Sequence, residues 1–135
     1  MINHDPVVLV TGAARGIGQG IARRLVGDGW CVVLADCDEI GVRESAAELG
    51  DRARGVAMNV ADEGQVAEVL AGIQNAEGRL NGLVNNAGIS DPFCGALEML
   101  KLEEWNRWLE TNLTGAFLTT KHSLSLLRAS GGAVV

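Results

Sequence analysis

The chain has 135 residues, 47% of them hydrophobic and 21% charged, with a net charge of −6. This balance suits one modest domain with its own core and excludes intrinsic disorder. The acidic excess leaves no electrostatic case for nucleic acid or an anionic membrane surface, and no apolar run approaches the roughly 20 residues of a membrane span. Cys31, Cys37 and Cys94 form no C-x-x-C pair, and with only His4 and His122 beside them no metal centre or disulfide framework is expected. Met1 to Pro6 lack the basic start and apolar stretch of a signal peptide, so the expected setting is reduced and cytoplasmic.

Val7–Val10 is an apolar run that reads as a buried strand, and Ile17–Val26 is an amphipathic stretch that reads as a helix. Between them lies Thr11-Gly12-Ala13-Ala14-Arg15-Gly16-Ile17-Gly18. A strand, a glycine-rich turn and a helix in this order make a phosphate cradle. Gly12, Gly16 and Gly18 lack a Cβ, so the backbone can turn tightly and lie against a ligand. The helix opening at Ile17 offers free N–H groups and a partial positive charge to a pyrophosphate. The plain alternative is a glycine-rich turn that binds nothing.

Cys31–Ala35 reads as a second buried strand, with Asp36 at its carboxyl end. A dinucleotide-binding βαβ unit needs an acid there, to accept hydrogen bonds from the ribose hydroxyls of the adenosine. The same carboxylate repels a 2′-phosphate and so favours NAD over NADP. Arg15 pulls the other way, but it is expected to project into solvent, whereas Asp36 stands where the ribose must lie. The bland reading of Asp36 is a turn residue or helix cap, since Asp38 and Glu39 follow.

Farther along, Ile40–Leu49 reads as a helix, Ala53–Met58 as a strand and Glu63–Gln74 as a helix. Asp62 and Gln65 form a capping-box pattern, and Val66, Val69, Leu70 and Ile73 make one apolar face. Gly82–Asn85 is a fourth strand, ending in Asn85-Asn86-Ala87-Gly88. A loop from Ile89 to Met99 follows; in it Phe93 could wall a cleft or tuck into the core, and Cys94 has no base near it to make it a nucleophile. One long helix is expected over Leu102–Leu127. Its stripe of Trp105, Leu109, Leu113, Phe117, Leu124 and Leu127 is expected to be mostly core, and a fifth strand begins near Ala133. The alternation predicts an α/β fold, a Rossmann-type doubly wound parallel sheet. Its ligand crevice lies beyond the carboxyl ends of the strands, where strand order reverses. The phosphate turn and Asn85–Gly88 should therefore face each other. The amide of Asn85 or Asn86 can brace neighbouring strands, while Ala87 and Gly88 are small enough to let backbone pass close to a ribose.

The pattern T-G-x-x-x-G-x-G, the Asn85–Gly88 turn, Thr111-Asn112-Leu113-Thr114-Gly115 and the closing Gly131-Gly132-Ala133-Val134-Val135 together resemble the short-chain dehydrogenases/reductases, over Val7 to Val135. The resemblance implies an NAD-dependent oxidoreductase that moves a hydride between a nicotinamide cofactor and a small alcohol or carbonyl substrate. It implies that Asn112 is the helix-borne catalytic asparagine, holding a water in a proton relay and loosening its helix locally. Without that context Asn112 is a helix-interior asparagine bonded to its own backbone. Asn59 stands where the family has an aspartate touching the adenine amino group, and Val60 either packs on the adenine or fills core. The long helix would also carry a subunit interface, hence a homo-oligomer. Residues 1–135 would be an NAD(P)-binding Rossmann domain, truncated after about five strands and incomplete in its catalytic part.

The chain also departs from the family. The catalytic set there is Asn, Ser, Tyr and Lys, the last two in Y-x-x-x-K, and this sequence contains no tyrosine. The tyrosine exchanges the proton and the lysine lowers its pKa, so these residues alone are expected to bind cofactor without catalysis. Two other readings stand beside this one: a non-catalytic dinucleotide-binding module or degenerate family member, and an S-adenosylmethionine methyltransferase. Thr11-Gly12, Asn85–Gly88 and Asn112-Leu113 speak against the methyltransferase. A fifth strand with an open edge should leave apolar surface exposed and promote self-association.

Overall fold

The computed structural model describes residues 5–90 and 95–135. Phe93 and Cys94 therefore lie outside the described residues. Five strands, β1 (Val7–Thr11), β2 (Cys31–Asp36), β3 (Ala53–Ala57), β4 (Gly82–Val84) and β5 (Ala133–Val134), form one sheet in the order β3-β2-β1-β4-β5. Every pairing is parallel. Helices α1 (Gly16–Gly27), α2 (Glu39–Leu49) and α3 (Glu63–Ala76) connect the first four strands, and α4 (Leu102–Leu109) and α5 (Gly115–Ser130) lead to the fifth. The strands and first three helices lie where the hydrophobic periods put them, with ends shifted by one or two residues. No helix among the described residues is long and apolar enough to cross a membrane.

Period-2 side-chain alternation explains the two-faced core. Val7, Leu9, Val33 and Ala35 point to one face, where they meet Val66, Leu70 and Ile73 of α3 and Leu118, Leu126 and Leu127 of α5. Val8, Val10, Val32 and Leu34 point to the other, against Ala22 of α1 and Val42 and Ala46 of α2. Strands buried on both faces read as unbroken apolar runs, which is what β1 and β2 are. The chain builds outward from β1 to β3, then returns to place β4 on the opposite side of β1. The carboxyl ends of β1 and β4 are thus the point where strand order reverses.

Asp62 caps α3, accepting from the Gln65 backbone N–H at 3.1 Å. The reciprocal half of the expected capping box is absent: Gln65 Oε1 accepts instead from the Asn59 N–H at 2.8 Å.

The last helix runs from Leu102 to Ser130, with a π-helical turn over Glu110–Thr114 between its α-helical parts α4 and α5, the Gly115 N–H reaching back to the Glu110 carbonyl. One expectation about it is corrected, since its apolar stripe is not core: Trp105, Leu109, Leu113, Phe117 and Leu124 are exposed, and of the stripe only Leu127 is buried. The buried face of α5 is Gly115, Leu118, Thr119, Ser123, Leu126 and Leu127. Members of the stripe on both sides of the π turn are exposed, so helical spacing marks an apolar face without saying whether it turns to the sheet or to solvent.

α3 and α5 are also linked at the surface by Glu63, whose Oε1 accepts from Lys121 Nζ at 2.7 Å and lies 2.9 Å from His122 Nε2. The hydrogen bond from Lys121, then that from His122, hold the Glu63 carboxyl below its ordinary value of 4.5. A depressed carboxylate pKa gives stability that is fully present above the unfolded value and is lost as pH falls through the folded one. Thermal melts of the unmutated chain and Glu63→Gln should therefore differ at neutral pH, in favour of Glu63, and converge as pH falls through the lowered Glu63 value. A difference independent of pH would show that the carboxylate charge does not join the helices.

Candidate functional site

The turn after β1 is built around glycines that cannot be replaced locally. Gly12 has φ +65°, and a Cβ there would lie 2.7 Å from the Ala87 Cα. Gly18, on the first turn of α1, faces Gly12 directly: an added Cβ would collide with the Gly12 carbonyl and come within 2.6 Å of Asn86 Nδ2. The close approach lets α1 point its N-terminus, opening at Gly16, at the carboxyl end of β1. Arg15 is exposed beside it, as expected.

Across the sheet's switch point, Thr11 and Asn86 lace β1 to β4. The Thr11 hydroxyl donates to the Val84 carbonyl at 3.3 Å and accepts from the N–H groups of Asn86 (3.1 Å) and Ala87 (3.0 Å). Asn86 Nδ2 donates to the carbonyls of Thr11 (2.9 Å) and Gly12 (3.0 Å). Asn85 braces in the other direction: its Nδ2 donates to Thr120 Oγ1 at 3.1 Å and its Oδ1 accepts from Thr119 Oγ1 at 2.6 Å, both on α5. The two adjacent asparagines thus divide the work, one between strands and one between sheet and helix.

Asp36 stands at the end of β2 with its carboxylate held from two sides. Oδ2 accepts from the Ala14 N–H in the glycine turn, and Oδ1 accepts from the Asp38 N–H, each at 3.0 Å. One acceptor direction on each oxygen is thereby fixed, and an ionised carboxylate has further lone pairs to offer. The helix cap is Asp38, which accepts from the Gly41 N–H at 3.0 Å, so Asp36 is not the capping residue.

These parts enclose a cleft of about 350 Å³ over the carboxyl ends of the strands. Gly12, Arg15 and Ile17 line it from the first turn, Asp36 from the second, Asn59 and Val60 from the third, and Asn86, Ala87 and Gly88 from the fourth. Gly16 and Gly18 shape the turn without lining the cleft. Sequence reasoning did not single out Cys37, Met58, Ile89 and Thr111, which also line it. Each adjoins a candidate residue, Cys37 beside Asp36, Met58 beside Asn59, Ile89 beside Gly88 and Thr111 beside Asn112, and that adjacency is the only signal the sequence carries for them. Burial, then the charge of Asp36, push the Cys37 thiol above its ordinary pKa, so it is not an activated nucleophile.

A family model described as short chain dehydrogenase matches residues 6–135. The chain belongs to that family. It is 36% identical over 129 residues to a 3-beta-hydroxysteroid dehydrogenase of Comamonas testosteroni, covering 96% of this chain and 50% of that protein. It is 41% identical over 116 residues to an inactive 2-(S)-hydroxypropyl-CoM dehydrogenase 2 of Xanthobacter autotrophicus, covering 85% of this chain and 50% of that one. The crystal structure of a 3-ketoacyl-(acyl-carrier-protein) reductase from Brucella melitensis complexed with NADH superposes with a TM-score of 0.89 at 34% identity, over 93% of this chain and 52% of that one. The chain spans about half the length of the relatives it matches. The methyltransferase alternative is set aside by this membership.

Two residues look different against the family expectation. Asn112 lies in the π turn and uses both ends of its amide on one partner: Oδ1 accepts from the Ile89 N–H at 2.8 Å and Nδ2 donates to the Ile89 carbonyl at 2.9 Å. The helix is loosened at Asn112, and its side chain clamps the strand exit after Gly88 rather than its own backbone. Asn59 Oδ1 accepts from the Ala61 N–H at 3.0 Å and so shapes its own turn while facing the cleft. Val60 belongs to the core cluster at 7% exposure and also lines the cleft.

Gly18→Ala tests the packing. Its methyl must displace backbone at Gly12 and the Asn86 amide, so a loss of about 1–3 kcal/mol of stability is expected. Denaturant unfolding measures it; a change within about 0.5 kcal/mol would mean that the turn and α1 are not in such close contact.

Proposed function

We propose that the cleft binds a nicotinamide adenine dinucleotide, NAD in preference to NADP. Residues 1–135 would then be the NAD(P)-binding Rossmann part of an oxidoreductase acting on a small alcohol or carbonyl substrate. The observation that carries the reading is the Asp36 carboxylate, aimed across the same cleft as the glycine turn and held there by Ala14 and Asp38 N–H groups. The residues fit the group. The near-contact of Gly12, Gly18 and Ala87 keeps side chains out of the space a pyrophosphate needs, and the N-terminus of α1 offers it unpaired N–H groups. Asp36 would accept from the ribose hydroxyls and repel a 2′-phosphate. Asn59 and Val60 would border the adenine, and Ala87 and Gly88 the nicotinamide-side ribose. When bound, the cofactor supplies the hydride acceptor or donor.

Asn112, with both ends of its amide on Ile89, would hold the loop after β4 in place rather than move a proton itself. Since no tyrosine occurs in the sequence, residues 1–135 by themselves are expected to bind cofactor and turn nothing over. The exposed Trp105, Leu109, Leu113 and Phe117 support self-association as a further part of this reading.

Calorimetric titration with NADH and NADPH tests the proposal. NADH should bind more tightly. Asp36→Ala should weaken NADH by about 10- to 100-fold, the worth of a hydrogen bond to a charged group, and narrow the gap to NADPH. Equal affinities for the two cofactors in the unmutated chain would refute the role given to Asp36.

A further inference from the structure

We infer that Ser45, relayed by Gln19, is a positioning residue that sets cofactor selectivity by fixing Ala14 and through it the Asp36 carboxylate; the inference rests on the dinucleotide reading of the cleft. Ser45 lies on α2 and is 3% exposed, in a helix face shared with the aliphatic side chains of Val42 and Ala46. A buried helical serine commonly returns its hydroxyl to a carbonyl one turn back. This one leaves its helix: Oγ donates to the Ala14 carbonyl at 2.7 Å and accepts from Gln19 Nε2 at 2.9 Å. A hydroxyl among aliphatic groups is costly to bury without such partners, and alanine would suit the packing at this position. The hydroxyl therefore acts at Ala14.

Ala14 is the residue where three elements meet. Its N–H donates to Asp36 Oδ2 at 3.0 Å, while its carbonyl is held by Ser45. Gln19 comes from α1, Ser45 from α2 and Asp36 from the end of β2. The other carboxylate oxygen is tied to the Asp38 N–H, immediately before α2. Removing the Ser45 hydroxyl leaves the Ala14 carbonyl without its partner; the 14–15 peptide is released, and through the dihedrals of Ala14 the preceding peptide, whose N–H holds Asp36, can turn away. The carboxylate keeps one of its two N–H donors and loses its fixed direction across the cleft. NADH, which needs the carboxylate aimed at its ribose hydroxyls, loses affinity. NADPH, which needs it elsewhere, loses less.

The test is a double-mutant cycle on the full chain, with NADH and NADPH as the probes. Ser45→Ala should lower the ratio of NADH to NADPH affinity by about 3- to 10-fold, the partial loss of one charge-assisted hydrogen bond. Gln19→Ala, which leaves the serine in place, should move the ratio in the same direction by less. In an Asp36→Ala background Ser45→Ala should leave the ratio unchanged, because the group it positions is gone. In the cofactor-free chain, the Ala14 amide proton should exchange faster with solvent in Ser45→Ala.

A lower melting temperature with an unaltered affinity ratio would overturn the inference and leave Ser45 as a packing residue. So would an equal shift in the ratio with and without Asp36, which would place its action elsewhere. If the unmutated chain takes up neither NADH nor NADPH, the dinucleotide reading falls first and the selectivity claim with it. The Ala14 exchange rate separates the two failures, since it reports the Ser45 contact with no cofactor present.

Discussion

The lacing of β1 to β4 by Thr11 and Asn86 is the constraint on which the rest of the site depends. At this junction the chain stops building the sheet in one direction and begins building it in the other, so two strand ends diverge and leave a crevice. Diverging strands can no longer satisfy each other's backbone groups. One hydroxyl and one carboxamide take over, serving three N–H or carbonyl groups on the β4 side and two carbonyls on the β1 side. Groups buried without such partners would each cost about 1–3 kcal/mol. The same amide then fixes how close α1 can come, because Gly18 is packed against Asn86 Nδ2 and the Gly12 carbonyl. The shape of the cleft at this end is therefore not a property of the glycine turn alone. It exists because a side chain from the fourth strand's exit holds the turn from behind.

Seen in this way, the difference between what the sequence disclosed and what it concealed has a physical pattern. Short-range rules were legible. The runs Val7–Val10 and Cys31–Ala35 could be read as doubly buried strands, the glycines as a turn, and Asp36 as an acid at a strand end, because each depends on neighbours in the chain. With the topological rule for parallel sheets added, nine of the proposed residues come to line one cleft. What stayed hidden depends on partners far along the chain. Nothing near Ser45 announces that its hydroxyl reaches Ala14, 31 positions away. Nothing near Asn112 announces that its amide closes on Ile89.

The misreading over 102–127 has a different origin: helical spacing identifies an apolar face but not whether that face turns to the sheet or to solvent. The π turn at Glu110–Thr114 interrupts the α-helical repeat, and Asn112 supplies a tertiary reason for it, since its side chain bonds the strand exit from within that turn. A π turn of this sort is commonly found where function requires a side chain out of register. The residues that the false stripe assigned to the core, Trp105 and Phe117 among them, instead form an exposed apolar band. Bands of this kind on folded chains mark contact surfaces more often than errors of packing.

The polar economy of the site also argues about its chemistry. Of the polar side chains lining the cleft, Asp36 is held by two N–H groups, Asn86 by the Thr11 and Gly12 carbonyls and Asn59 by its own turn, while Thr11 and Asn112 are tied down just behind it. Such a set is suited to holding a rigid, extended ligand, because nothing need be rebuilt when the ligand arrives and little ordering entropy remains to be lost. Exchanging a proton is a different task, which needs a group free to change its partner during the reaction and a pKa near the working pH. Asp36 illustrates the distinction. Under the proposed dinucleotide reading, its fixed carboxylate would discriminate between a hydroxyl and a phosphate, and that discrimination would be only as sharp as the Ala14 N–H that aims it.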